Sequence, residues 1–289
     1  MTQFLAQYSI QRWMEMCPQG YLEDTVYGHE PNESEPELLL ADEDEREGAI
    51  RTTVGLVVGE RCALAASSGL INAAPDYPSK RFLATQTLDE ARHVEVFTQR
   101  LFDLGVTPDN LESTIDRYAN PNLVKFAEVL LEKVAAGDFL AGVVGQNIVL
   151  EGLAFSVFEM LEAGNREFNP KFAHTLSGTI ADERRHVGFG ENRIGSLIAQ
   201  HPEKKAEIER MQQEMTYYML AVFADSFRGD DNKPKSTPAP TAGAEWHGTN
   251  LSTASPEEME AVLANTVLGE FKTRLARVGI EYQTPRVPV

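Results

Sequence analysis

Ala181-Asp182-Glu183-Arg184-Arg185-His186 decides the reading of this chain, because it has a counterpart about ninety residues upstream, Leu88-Asp89-Glu90-Ala91-Arg92-His93. Both contain Asp-Glu-x-Arg-His, and therefore Glu-x-x-His, in segments that read as helix. Residues three apart on an α-helix lie about 60° apart around the axis and nearly one turn apart along it, so Glu and His project to one side. A carboxylate oxygen and an imidazole nitrogen so placed can ligate one transition-metal ion. Two such pairs need two more carboxylates to hold two divalent ions, and Glu60 and Glu151 on the preceding helices supply them.

The spacing supports one centre. From Glu60 to Glu90, Glu151 and Glu183 the steps are 30, 61 and 32 residues. Each short step suits going up one long helix, crossing a loop and returning to the same height on the next. The long step leaves room for a crossover between two helix pairs. One Glu from each of two helices, with Glu-x-x-His from each of the other two, is the ligand pattern of di-iron and di-manganese carboxylate bundles. The surroundings agree. Glu151 interrupts the apolar run Ile148-Val149-Leu150-Glu151-Gly152-Leu153, and Glu60 follows Val54-Gly55-Leu56-Val57-Val58-Gly59. A buried carboxylate without a partner is costly, and a metal ion removes the cost.

Neighbouring residues take supporting parts. Asp89 and Asp182 are expected to accept a hydrogen bond from the far nitrogen of the opposite His, fixing its tautomer; the blander reading is a pair of surface acids. Arg185 reads as ordinary helix-surface salt bridging. By helical phase Gln86, Phe97, Gln146, Phe155, Thr179 and Phe189 line a mostly apolar cavity, with Gln146 and Thr179 as its candidate polar catalytic groups. His174 is half a turn out of phase, and His29, His201 and His247 fall in loops. Cys62 reads as a small core residue.

Length and composition bound the answer. The 289 residues, 42% of them apolar, suffice for one large core or two small ones. The net charge of −18 argues against nucleic acid and anionic membrane surfaces as partners. Two cysteines, Cys17 and Cys62, give neither a disulfide framework nor zinc-finger spacing, which suits a reducing cytosol. No signal peptide is evident and no apolar stretch of about 18 residues is expected, so a cytoplasmic protein without a membrane span is the expectation.

The chain reads as all-α, because no segment sustains period-two alternation. After a weak helix over 3–17 and an irregular acidic stretch over 20–41, helices are expected at about 41–73, 79–104, 123–163, 170–200 and 203–228. Gly105, Gly164 and several prolines mark their ends. Residues 1–228 then form the bundle, and the Pro/Ser/Thr/Gly-rich residues 229–254 a linker or surface arm. Ser255-Pro256-Glu257-Glu258 opens a last helix in the 255–289 segment with a capping signature.

With Asp-Glu-Ala-Arg-His, Val-Leu-Glu-Gly and Ala-Asp-Glu-Arg-Arg-His-Val-Gly-Phe-Gly in view, residues 42–225 resemble the ferritin-like di-metal oxidases and oxygenases. They are most similar to the ribonucleotide-reductase-like ligand-binding oxidases, with similarity also to arylamine N-oxygenases and bacterial multicomponent monooxygenases. The resemblance implies a ferritin-like four-helix bundle with Glu90 and Glu183 bridging two ions. Glu60 and His93 would bind one ion, Glu151 and His186 the other. It also implies two Fe ions, or Mn/Fe, with O2 as co-substrate. A homodimer, a reductase or ferredoxin as electron donor, and a small hydrophobic or amphipathic organic substrate are expected with it.

The departures from the family are specific. Phe97 stands at the radical-bearing Tyr position, Ala63 and Gln146 at the positions of the Val–Tyr cross-link, Phe155 at the monooxygenase Thr, and Thr179 at the extra His of the N-oxygenases. The leading expectation is therefore an O2-activating oxidoreductase performing hydroxylation, desaturation or N-oxygenation. The alternative is a ferroxidase or metal-handling bundle without an organic substrate; the roughly 60-residue extension beyond the bundle weighs against it.

Overall fold

Helix α1 (Glu37–Ala41) leads into the long helix α2 (Glu43–Ala73). Asp42 caps α2 by accepting from the amides of Asp44 and Glu45, and acidic residues fill its first turn, where the helix dipole favours them. A three-residue connection turns the chain into α3 (Tyr77–Asp103), and Gly105, at φ 95°, stops it as expected. The computed structural model describes residues 32–227, 245–250 and 253–285. The expected helix at 3–17, together with His29 and Cys17, lies outside the described residues.

The single helix expected over 123–163 is instead broken. Helix α5 (Pro121–Ala135) ends at Gly137, whose φ of 75° an L side chain rarely adopts, and Asp138 caps a new start by accepting from Ala141 N–H. The restart comprises α6 (Phe139–Val143), a π-helical segment (Val144–Leu150) and α7 (Glu151–Asn165). A short helix α4 (Leu111–Tyr118), which carries no long apolar period, precedes α5. Then come α8 (Pro170–Gln200), capped by Asn169, and α9 (Lys205–Phe227). Inside the stretch expected to be linker, β1 (Glu245–Trp246) and β2 (Thr249–Asn250) pair as a hairpin with Trp246 buried. Helix α10 (Pro256–Arg277) begins with the reciprocal Ser255–Glu258 capping box.

Two helix pairs make the centre: α2 with α3, and the α6–π–α7 rod with α8. Helices α5 and α9 flank one side, and α10 packs on α7. Apart from a small group at Leu39, Ala49 and Leu104, the apolar interior falls into two clusters. One contains Ala63, Leu83, Ile148 and Ile194; the other contains Val57, Val96, Phe155 and Ile180. On α2, α3 and α8 the change from one cluster to the other spans the expected ligand residues, and on the α6–π–α7 rod it falls just after Glu151, between Leu153 and Phe155, so a polar layer lies between two dry ones.

Two expectations are corrected by the packing. The helical stretches Glu43–Ala73 and Phe139–Asn165 are long and apolar enough, by length and composition, to cross a membrane. Neither is an uninterrupted apolar stretch, since Glu60 and Arg61 interrupt the first and Glu151 the second, but so few charges leave the mean hydropathy of a long window high. In the fold these are the central helices that carry Glu60 and Glu151, and the second is mostly buried. Likewise the acidic stretch before residue 41 is not merely irregular. Glu35 is buried, pairs with Arg100 (Oε1 to Nε 3.0 Å) and accepts from Asn169 Nδ2 at 2.7 Å. Arg100 also donates to Thr53 Oγ1 at 2.7 Å and lies over the Phe172 ring.

Candidate metal centre

Glu60, Glu90, His93, Glu151, Glu183 and His186 converge in the polar layer, and all are buried. The i,i+3 geometry performs as the sequence implies. His93 Nδ1 lies 3.4 Å from Glu60 Oε2, 3.3 Å from Glu90 Oε2 and 3.4 Å from Glu183 Oε1. His186 Nδ1 lies 3.3 Å from Glu90 Oε1, 3.5 Å from Glu183 Oε2 and 3.9 Å from Glu151 Oε1. Glu90 and Glu183 thus each present one oxygen to either half, while Glu60 faces one half and Glu151 the other.

These spacings fit shared ions. Two ligand atoms each about 2.1 Å from a metal lie about 3.4 Å apart at the tetrahedral angle, and about 3.0 Å apart at a right angle. Four of the atoms that face the interior are left without a hydrogen-bond partner: His93 Nδ1, His186 Nδ1, Glu90 Oε2 and Glu183 Oε2. Buried polar atoms are rarely left so, and four of them turned toward common points form a ligand set able to hold two metal ions.

The electrostatics of these side chains agree. Burial, reinforced by the charges of Glu90 and Glu183, pushes Glu60 up to about 8 even though His93 pulls it down. Burial and then Glu183 raise Glu151 well above the carboxylate range. Glu90 goes the other way: burial opposes the shift, but the imidazoles of His186 and His93, each 3.3 Å away, hold it low. Both imidazoles are held well above their usual range; burial opposes this, while Glu60 at His93 and Glu183 at His186 drive it. Protons occupy the places that divalent ions would neutralise. Cys62, two residues from Glu60, is buried and pushed up to about 12 by burial, and so stays a neutral thiol.

The outer nitrogens are fixed from across the bundle. His93 Nε2 meets Asp182 Oδ2 at 3.2 Å, and His186 Nε2 meets Asp89 Oδ2 at 3.2 Å. Each Asp can accept the Nε2 proton, leaving the Nδ1 lone pair directed at the interior. Arg185 makes helix-surface salt bridges, as its sequence position suggests, and they fall on the two orienting carboxylates. Its Nη2 lies 3.0 Å from Asp89 Oδ2 and 2.5 Å from Asp182 Oδ1, so one guanidinium ties both orienting carboxylates together. Arg92 is buried and pairs with Asp182. The signal was available: the i,i+3 spacing from Asp182 to Arg185 matches that from Glu183 to His186, one residue earlier.

A cage of amides surrounds Glu151. Gln86 Nε2 donates to Oε1 at 2.7 Å, Gln146 Nε2 to Oε1 at 3.0 Å, and Asn147 Nδ2 to Oε2 at 3.0 Å. Gln146 also reaches Ala63 O at 3.1 Å, so the two residues at the family's cross-link positions do meet, through an amide. The π-helical segment makes this possible. A residue five before Glu151 would lie about 140° away around an α-helix. Here Glu151 N–H bonds to Gln146 O, and the widened i→i+5 turn returns Gln146 to the same face. Gln86 and Gln146 are legible in the sequence as lining residues; Asn147, four residues before Glu151 and on its face by ordinary helical spacing, was overlooked inside the apolar run.

Close packing completes the cage. A Cβ on Gly190 would stand 2.5 Å from Asn147 Cβ, so only glycine lets α8 approach the π segment. Thr179 is buried, but its hydroxyl donates to Thr175 O of its own helix at 3.2 Å. Phe97 is fully buried, and Phe189 stacks on Phe82 at 4.2 Å, with Phe82 edge-on to His186. His174 pairs with Glu33 at the surface, as its phase required.

No family model matches the chain, and no curated protein matches it in sequence. Solved structures do match in fold. A variant of an R2-like ligand-binding oxidase with aerobically reconstituted Mn/Fe cofactor superimposes with a TM-score of 0.71 at 14% identity, over 93% of this chain and 91% of its own. Another variant of such an oxidase, with anaerobically reconstituted Mn/Fe cofactor, gives 0.68 at 15% identity, over 95% and 93%. A protein from Synechococcus with aldehyde deformylating oxidase activity gives 0.61 at 18% identity, over 84% and 94%. The fold is the ferritin-like all-α bundle, with a buried Glu/His cluster that can bind two metals at its centre.

Proposed function

We propose that this chain is an O2-activating oxidoreductase whose di-iron or Mn/Fe centre is held by Glu60, Glu90, His93, Glu151, Glu183 and His186. The observation that carries the reading is the division of Glu90 and Glu183, each with one oxygen toward either imidazole. The fold shared with oxidases that carry Mn/Fe cofactors supports it. Two divalent ions bound there would supply the electrons that reduce dioxygen.

The protein's own part is to position, shield and hold protons. Asp89 and Asp182 keep a proton on each Nε2, so both imidazoles offer Nδ1. Gln86, Gln146 and Asn147 donate to Glu151 and stabilise its charged form when no proton remains there. The apolar clusters above and below exclude water. With Phe97, Phe155 and Phe189 around the layer, the surroundings favour a hydrophobic or amphipathic organic substrate. A reductase or ferredoxin as donor and a homodimeric assembly belong to the same proposal.

Anaerobic loading with Fe(II), followed by a measured pulse of O2, tests the reading. The wild-type protein should consume O2 in proportion to its iron, and Glu183→Ala should not. Equal uptake by both proteins would refute it.

A further inference from the structure

Away from the bundle centre, Glu159 on α7, His247 in the hairpin turn and Glu270 on α10 bring one ligand atom each to within 4.8 Å of one another. Segments distant in sequence build this cluster, and its parts are placed by separate means. His247 sits at φ 47° and Gly248 at φ 78°, the two left-handed residues of a tight hairpin. The buried Trp246 anchors that hairpin, with its ring edge-on to His247. Glu270 Oε2 accepts the hydroxyl of the buried Ser156 at 2.6 Å, which fixes the carboxylate beside α7. Glu159 is held near a like charge: burial and Glu270 push its carboxyl up, against the pull of Arg184, His247 and Arg274. Those two arginines are engaged elsewhere, since both lie over the Phe155 ring and Arg274 also pairs with Glu191.

We infer that Glu159, His247 and Glu270 form a second metal site, separate from the bundle centre, for a borderline divalent ion of the Zn2+ class. One imidazole and two carboxylates are a ligand set such ions accept, with water completing the coordination, and the two negative charges match the ion's. Glu159 lies eight residues beyond Glu151, about 12 Å along the helix, so the sites do not share ligands. The ion would clamp the hairpin and α10 to α7.

The test uses the full chain loaded anaerobically with Fe(II), then exposed to Zn2+, desalted and analysed for total metal. The wild-type protein is expected to retain one ion per chain more than His247→Ala or Glu270→Gln, with iron content equal in all three. Zinc should also slow amide exchange in residues 245–250 of the wild type and not of His247→Ala. In Glu183→Ala, which damages only the centre, the additional ion should remain. Equal total metal in wild type and His247→Ala would overturn the proposal, as would loss of the additional ion from Glu183→Ala.

Discussion

Arg185 reaches from α8 to Asp89 on α3, with Nη2 3.0 Å from Oδ2, and the same nitrogen contacts Asp182. One exposed guanidinium therefore steadies the carboxylates that orient both ligand histidines. Replacing Asp89 or Asp182 by Ala should weaken metal affinity about 10–100-fold, the usual cost of losing a ligand's orienting partner. Arg185→Ala acts one contact further out and should weaken it about tenfold, at both halves of the centre. Competition with a metal-binding indicator measures this. Unchanged affinity for Arg185→Ala would return that residue to plain surface salt bridging.

In metal-free protein the ligand side chains make stability depend on pH. Glu60 has a folded pKa of about 8, raised from 4.5, so its contribution is fully present below about 4.5 and lost as pH rises toward 8. The raised histidines act in the same direction above their unfolded value of 6.5. Metal-free protein should accordingly melt at a lower temperature at pH 8.5 than at pH 6, while metal-loaded protein should not show this loss. Glu60→Gln should flatten the metal-free profile. Thermal melts across this range check the sign; a metal-free protein that gains stability toward pH 8.5 would contradict it.

Gly190 governs the approach of α8 to the amide cage. A methyl group there would press on Asn147 Cβ at 2.5 Å, and no flexible end is available to yield. Gly190→Ala should cost about 1–3 kcal/mol by overpacking and disturb the Asn147–Glu151 hydrogen bond. Gly188→Ala, on the same helix with open space around it, should instead stabilise by about 0.5–1 kcal/mol through helix propensity. Chemical denaturation of the two variants separates them, and equal stability would sink the argument.

Much of the centre was legible in sequence because helical periodicity is local. Glu-x-x-His fixes two ligands on one face whatever the rest of the chain does, and isolated carboxylates in apolar runs mark the other two. What escaped depended on departures from the ideal helix or on distant contacts. The π turn that brings Gln146 beside Glu151 has no signature in the sequence, and the break at Gly137 was missed because one glycine can sit inside an apolar period. Glu35 and Trp246 look like parts of an acidic leader and a linker until Arg100 and α7 are seen packed against them.

Phe97, one turn beyond the ligand His93, is fully buried and has no hydroxyl to carry a radical. The described tyrosines are engaged elsewhere: Tyr77 is exposed, Tyr118 lies under Arg51 and Arg117, Tyr217 meets Tyr218, and Tyr282 meets Phe271. Fe(II)-loaded protein exposed to O2 should leave no long-lived tyrosyl radical. Electron paramagnetic resonance reads this directly, and a persistent signal abolished by one Tyr→Phe change would contradict the assignment of Phe97.

The central claim is that six side chains hold two ions with Glu90 and Glu183 shared between them. Anomalous diffraction from crystals loaded anaerobically with Fe(II) or Mn(II) tests it most directly. Two peaks about 3.5–4 Å apart are predicted, the spacing usual for two-metal sites. One should lie beside Glu60 and His93, the other beside Glu151 and His186. A single peak, or ions bound only outside this cluster, would contradict the account.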